Sequence, residues 1–241
     1  MSALLSVERV SKRFTGLLAV NAVSFAVEAG DLFAVIGPNG AGKTTLFAMI
    51  AGQLHPDDGA IVFAGDRIDA LAPEQVCRRG IGRTFQLVRP FPALSVEDNV
   101  IVGALLRRRD VDAARAHAGE VLRRLDLFDK RHQRAATLTL PDRKRLEVAR
   151  ALGTEPRLLL LDEVMAGLRP TETDRMVATL RDLNRAAGLT ILLIEHVMRA
   201  VMALASRVLV LDHGTVIAEG EPPTIARDPA VVQSYLGAEA W

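Results

Sequence analysis

Apolar positions fall in two rhythms along this chain. Four short runs are apolar almost without interruption: "LFAVIG" at 32–37, "LLLLD" at 158–162, "TILLI" at 190–194 and "RVLVLD" at 207–212. Runs of strand length that end in polar or turn residues read as strands buried on both faces, as in a parallel sheet covered by helices. The strands expected from them are Leu32–Ile36, Leu158–Asp162, Thr190–Ile194 and Val208–Asp212. Leu5–Val10, Val23–Val27 and Ala60–Phe63 also read as strands, and the earliest of these alternate more, which suits an antiparallel layer.

The middle of the chain changes period. From about Ser95 to Ala151 there is no convincing strand, and Val111, Ala114, Ala118, Val121, Leu122 and Leu125 recur at helical spacing to give one apolar stripe. Arg107–Arg109, Arg123, Arg124 and "KRHQR" at 130–134 are expected on the solvated side of that helical region. No internal repeat, low-complexity tract or linker interrupts the pattern. A chain of 241 residues with nearly half its positions apolar can bury one large domain, or a core domain with a subdomain.

Charge and composition narrow the function classes. Lys and Arg number 30 against 29 Asp and Glu, a balance that argues against nucleic acid as a partner. Cys77 is the only cysteine, so no disulfide can form within the chain, and a reducing compartment fits. The start "MSALLSVERVSKRF" has no apolar stretch long enough for a signal peptide, since Glu8 and Arg9 interrupt it. The longest apolar runs are of strand length, so any membrane role is expected to come through a partner.

Chemistry enters at "GPNGAGKT", residues 37–44, which fits G-x-x-x-x-G-K-[ST] at every required position. An apolar strand precedes it, and "TLFAMIAG" continues it as a helix ending at Gly52. Gly37, Gly40 and Gly42 let the backbone curl so that its N–H groups, with the helix N-terminus, hold phosphate oxygens. The expected cradle is Gly37, Pro38, Asn39, Gly40, Ala41, Gly42, Lys43, Thr44 and Thr45. Lys43 can reach the β- and γ-phosphates, and the Thr44 hydroxyl can sit on Mg²⁺. A second element is "LLLLDE" at 158–163. Acids at the carboxyl end of a buried strand face the crevice where open α/β sheets bind ligands. Asp162 can bind Mg²⁺ through water, and Glu163 can polarise an attacking water.

The order of motifs resembles an ATP-binding cassette (ABC) ATPase over essentially the whole chain. "RTFQ" at 83–86 is similar to the Q-loop, with Gln86 as the sensor of γ-phosphate and Mg²⁺. "IEHVM" at 194–198 resembles the switch-histidine segment, with His196 positioning the γ-phosphate. Phe14 matches the aromatic that stacks on adenine, and "RLEVARAL" at 145–152 resembles the helix after the signature loop. "FTGLLAVNAVSF", "GIGRTFQLVRPFPALSVEDNV" and "DPAVVQSYLG" narrow the resemblance to the ATP-binding subunits of branched-chain amino acid importers. Relatives of that group handle urea or other amides, and a more distant one drives lipopolysaccharide export. "GRTFQ" and "GLLAVN" favour the importers.

The resemblance implies an α/β fold: a P-loop core with a mostly parallel sheet, an antiparallel β layer and an inserted helical subdomain. The core would comprise 1–86 and 156–241, and the helical subdomain about 87–155. It also implies that two cassettes meet head to tail, each ATP lying between one P-loop and the other's signature loop. Glu163 would be the general base, with His196, Lys43 and Gln86 about the γ-phosphate. Residues 87–100 would carry the groove for coupling helices of membrane permease subunits, at the cytoplasmic face of the membrane. Two other classes stay open. A soluble ABC ATPase acting on DNA or ribosomes usually carries two cassettes or a long coiled-coil insertion. A P-loop small-molecule kinase leaves Gln86, the signature-like helix and His196 without a role.

One segment departs from the family pattern. Leu138, Thr139, Leu140, Pro141 and Asp142 stand in the places of L-S-G-G-Q. Pro141 has no N–H to give a phosphate, and Leu140 adds bulk where the backbone should approach closely. Asp142 would place a negative charge near phosphate unless it caps the helix, and Pro141 suits a helix start. Val164 replaces the proline that usually follows Asp-Glu, and Arg169 stands where the D-loop often has Asp or Asn. The expectation is a cassette that hydrolyses ATP at its own P-loop but offers its partner a weakened signature. That fits a heterodimer with one stronger and one weaker site, the homodimer being the other arrangement.

Overall fold

The computed structural model describes residues 3–85 and 90–238. The chain begins with β1 (Leu5–Phe14), β2 (Leu17–Val27), β3 (Leu32–Ile36), α1 (Lys43–Ile50), β4 (Asp58–Phe63) and β5 (Asp66–Arg67). Next come α2 (Pro73–Arg79), β6 (Ile81–Arg83), α3 (Val96–Ala104), α4 (Val111–Arg124), α5 (Leu140–Gly153) and β7 (Leu158–Asp162). The last third holds α6 (Pro170–Ala187), β8 (Thr190–Ile194), α7 (Met198–Leu204), β9 (Arg207–Asp212), β10 (Thr215–Gly220), α8 (Pro222–Ile225) and α9 (Pro229–Ala238).

Two sheets result. One is antiparallel, in the order β2-β1-β4-β5; the other has six strands in the order β10-β9-β3-β8-β7-β6. All neighbours in the larger sheet are parallel except β10, which returns antiparallel along β9. The uninterrupted apolar runs now have their cause. Ala34 and Ile36, Leu159 and Leu161, Leu193 and Val210 point into a core shared with α3 to α7. Their alternates Phe33, Val35, Leu160, Leu192 and Leu209 point into a second core with α1 and the antiparallel sheet. Strands that feed both cores leave no position for a polar residue until they end.

Between β6 and β7 the regular elements among the described residues are helices, joined by turns and loops, with an isolated bridge between Ser95 and Arg134. The stripe on α4 packs as expected at Ala114, Ala118, Val121, Leu122 and Leu125. Val111 does not: it is 50% exposed. It is the first helical residue after the cap, where Asp110 accepts from the Ala113 N–H at 2.8 Å, so that turn lies beyond the cover that buries the rest of the stripe. The basic residues are also less idle than a solvated face implies. Arg123 and Arg131 both lie over the Phe128 ring, at 4.1 and 4.2 Å, and Lys130 pairs with Asp142 at 2.5 Å. Among the described residues no helix is long and apolar enough to cross a membrane.

Candidate nucleotide site

Parallel pairing brings the carboxyl ends of β3, β8, β7 and β6 to one edge in that order. The P-loop leaves β3, His196 follows β8, Asp162 ends β7, and Arg83 ends β6. Gly37 opens the loop at φ 147°, and a Cβ there would lie 2.0 Å from the Leu211 carbonyl oxygen. Gly42, at φ 97°, stands before α1 without a side-chain cap, and a Cβ there would lie 2.3 Å from the Ala19 oxygen. The β9 end and β2 thus press the loop from two sides, and only glycine fits at either point. The uncapped first turn leaves its N–H groups for an anion.

Lys43 is buried, and its Nζ donates to the carbonyls of Gly37 and Pro38 at 2.7 and 2.8 Å. Burial lowers its affinity for the proton, while Glu163 and Asp162 nearby raise it. The cation is thus folded onto its own loop and aimed toward both acids. Thr44 is exposed and Thr45 half-buried at the same turn.

Asp162 is almost wholly enclosed. Its Oδ2 accepts from Arg83 Nη2 at 3.1 Å, and its backbone N–H donates to Thr84 Oγ1 at 3.1 Å. Burial pushes its carboxyl up, and the Arg83 guanidinium pulls it down. Asp162 Oδ1 is buried with no hydrogen-bond partner among the described residues. An open carboxylate oxygen beside a phosphate loop is a seat for metal-bound water, and the Thr44 hydroxyl is a second. These residues fit Mg²⁺ held mainly by phosphate and water. No cluster of three or more His, Cys, Asp or Glu that could cage a metal occurs among the described residues.

Glu163 and His196 meet directly, with Oε1 and Nε2 2.6 Å apart. Glu163 holds a left-handed backbone at φ 50°, its N–H donating to the Ile194 carbonyl at 3.0 Å. A carboxylate and an imidazole in contact beside a buried ammonium and a phosphate cradle can accept a proton and stabilise charge on a phosphoryl group.

Comparison with known proteins decides the family. The profile of the ABC transporter family matches residues 20–166. The chain belongs to the ABC transporter ATPase family. A second profile, for the branched-chain amino acid ATP-binding cassette transporter, matches residues 215–240 of the cassette. The high-affinity branched-chain amino acid transport ATP-binding protein LivG of Escherichia coli is 38% identical over 97% of this chain and 98% of its own. BraF of Pseudomonas aeruginosa, which carries the same description, is 37% identical over the same shares. Among solved structures, the ADP conformation of MJ1267, an ATP-binding cassette of an ABC transporter, superposes with a TM-score of 0.90. It is 30% identical, covering 98% of this chain and all of that one.

Within the cassette, the family-like residues fall as follows. Lys43, Asp162, Glu163 and His196 converge, while Phe14 ends β1 with its ring 41% exposed and Lys12 Nζ 6.0 Å from the ring centre. Gln86 lies outside the described residues, as do 87–89; Phe85 just before them is exposed. The segment in the place of the signature is not wholly a loop. Leu138 and Thr139 are extended, and Leu140, Pro141 and Asp142 form the first turn of α5. Thr139 caps that helix, its hydroxyl donating to Asp142 Oδ2 at 2.8 Å. Asp142 is buried beneath Lys130 at 2.5 Å and Arg145 at 3.8 Å, so its charge is balanced inside the subunit. The expectation that Asp142 serves the helix start holds, and Pro141 sits where a missing N–H costs least.

Four residues near the site had no role assigned from the sequence. Arg83 anchors Asp162 and also donates to Gln53 Oε1 at 2.8 Å. Lys144 Nζ donates to the Glu163 carbonyl at 2.9 Å. Glu195 Oε1 accepts from the Met165 N–H at 2.9 Å. Tyr235 on α9 comes against the backbone of Gly37, and burial pushes its phenol up. The one available signal is a charge set directly after an apolar run, as at Glu195 after β8; Lys144 stands within the charged run "DRKR" and has none. Next to the Q-loop, Phe91 backs onto Arg150 at 4.9 Å, and Asn99 accepts from the Phe91 N–H at 2.8 Å.

Proposed function

We propose that this chain is the ATP-binding and ATP-hydrolysing subunit of an importer for branched-chain amino acids or related amino acids and amides. The observation that carries this reading is full-length similarity to LivG and BraF together with the profile match at 215–240. The same similarity favours import over lipopolysaccharide export and over a soluble ABC ATPase. The cargo would pass through membrane permease subunits, and the cassette would sit on them at the cytoplasmic face. The groove beside Phe85, Phe91 and Asn99 is the part of the surface suited to their coupling helices.

In the proposed mechanism the P-loop amides of residues 37–45 and Lys43 hold the triphosphate of ATP, and Phe14 covers the base. Glu163 takes the proton of the attacking water, and His196 holds both Glu163 and the γ-phosphate in register. Gln86 completes the γ-phosphate contacts. Mg²⁺, when bound, would be held by Thr44, Gln86 and Asp162 through water, and would supply positive charge to the phosphates. Lys43 neutralises charge that develops on the transferred group.

The partner cassette's ATP would meet Leu138–Asp142. Pro141 offers no N–H, and the Asp142 N–H is directed at Thr139 Oγ1, 3.5 Å away. Fewer amides are then left for a phosphate than two glycines would give. A heterodimer with unequal sites fits this loop better than a homodimer, and in it closure needs the γ-phosphate and hydrolysis releases it. Its test is ATP turnover of the assembled complex with Glu163→Gln here and with the equivalent change in the partner. Unequal losses are expected; equal losses would overturn the asymmetry. Leucine uptake into proteoliposomes carrying the complex tests the cargo, and uptake indifferent to Glu163→Gln would refute the assignment.

A further inference from the structure

The backbone that carries Glu163 is clamped by the helix that starts at the signature. Lys144 is 5% exposed, and its Nζ donates across to the Glu163 carbonyl at 2.9 Å. Four residues earlier on the same helix, Leu140 lies against Gly167, where a Cβ would be 3.4 Å from Leu140 Cδ2. Between those two points Val164 and Met165 are each 1% exposed, and the Met165 N–H is taken by Glu195. So residues 163–167 are held by α5 at both ends and by the end of β8 in the middle. The departures Leu140 and Val164 fall on two segments that pack together within this subunit.

Glu163 needs such a clamp. At φ 50° it occupies a left-handed conformation that a side chain other than glycine keeps only when its surroundings fix it. Its N–H is fixed by Ile194, its carboxylate by His196 and its carbonyl by Lys144. The ammonium of Lys144 also sits among the charges of Glu195, Glu163, Asp162 and Glu147, so a neutral residue there would leave those acids without it.

We propose that Lys144 is a positioning residue for hydrolysis. Its bond to the Glu163 carbonyl holds the base's backbone and ties it to the first turn of α5. A nucleotide that docks on that turn from a partner subunit is thereby felt at the Glu163 of this chain. A helix moves as a rod, and a shift of α5 by about 1 Å lengthens a 2.9 Å hydrogen bond past its useful range. Misplacing a reacting group by about that distance costs up to roughly a hundredfold in rate. The inference rests on Glu163 being the base, so the two are tested side by side.

The experiment measures ATP turnover and binding of a fluorescent ATP analogue by the assembled complex, with Glu163→Gln in this chain as reference. Lys144→Met should lower kcat about tenfold or more while the nucleotide Kd stays within about threefold. Lys144→Arg, which keeps a donor, should recover most of the turnover. Should Lys144→Met melt well below the native chain, Lys144→Met/Glu195→Gln also removes the ionisable carboxyl buried beside it and should still turn over slowly. Native kcat in folded Lys144→Met or in the double variant would overturn the proposal, as would parallel losses in kcat and affinity. Full turnover by Glu163→Gln would instead overturn the reading of Glu163 as base.

Discussion

Replacing Glu195 with glutamine should change how stability depends on pH, and the size can be worked out from the carboxyl's surroundings. Glu195 is 1% exposed; its Oε1 accepts from Met165, and its Oε2 has no hydrogen-bond partner among the described residues. Burial, with Glu163's charge adding, pushes the carboxyl from an ordinary 4.5 to about 7, against the pull of the Met165 N–H, Lys144 and the His196 backbone. The folded chain therefore keeps this proton between 4.5 and about 7, where the unfolded chain has released it. Stability falls as pH rises through that window and levels off above it. The displacement corresponds to about 3 kcal/mol in full, of which about 2 to 3 kcal/mol develops between about pH 5 and pH 8. Glutamine keeps the acceptor and cannot ionise. Its new N–H costs roughly 1–3 kcal/mol if unpaired, but equally at every pH. Urea unfolding followed by circular dichroism at several pH values checks this. The stability difference between Glu195→Gln and the native chain should move toward the variant by about 2 to 3 kcal/mol from pH 5 to pH 8. Parallel stability profiles would refute the reasoning.

Other outcomes follow from the same geometry. Gly37→Ala forces a Cβ to within 2.0 Å of the Leu211 oxygen, so nucleotide affinity should fall at least about tenfold; an unchanged titration would refute that. Asp142→Ala removes the acceptor of Thr139 and Lys130 at the start of α5 and should cost about 1–2 kcal/mol in urea unfolding, discounted for a lysine that is partly in solvent. Phe14→Ala should raise KM for ATP several-fold at unchanged kcat, and Phe14→Trp should restore it, because the ring offers binding area remote from the phosphates.

Three strands of the double core were legible in the sequence residue for residue, and β9, expected from Val208, begins one residue earlier at Arg207. Leu32–Ile36, Leu158–Asp162 and Thr190–Ile194 end where a polar or turn residue must appear, because both faces are buried up to that point. The antiparallel sheet was read short. Register shifts between Val7 and Val10 and again up to Arg13 break the alternation, so β1 runs on to Phe14 unseen. β6 is three residues with a glycine at its centre, and β10 is a half-buried edge, so neither carries a strong pattern. At the site, residues in local motifs could be read, and the groups that position them could not. Arg83 meets Asp162 across 79 positions of sequence, and Glu195 meets Met165 across 30. Such pairs exist only once the parallel sheet has brought the strand ends side by side.

The contacts around Gly37 also bear on how the protein is made. The P-loop is made before the Leu211 carbonyl that closes over it and before α9, which brings Tyr235 against it. A growing chain thus carries an unbraced phosphate loop until β9 and α9 have followed it. Ligand-ready folding of the loop therefore reports on translation through those two elements.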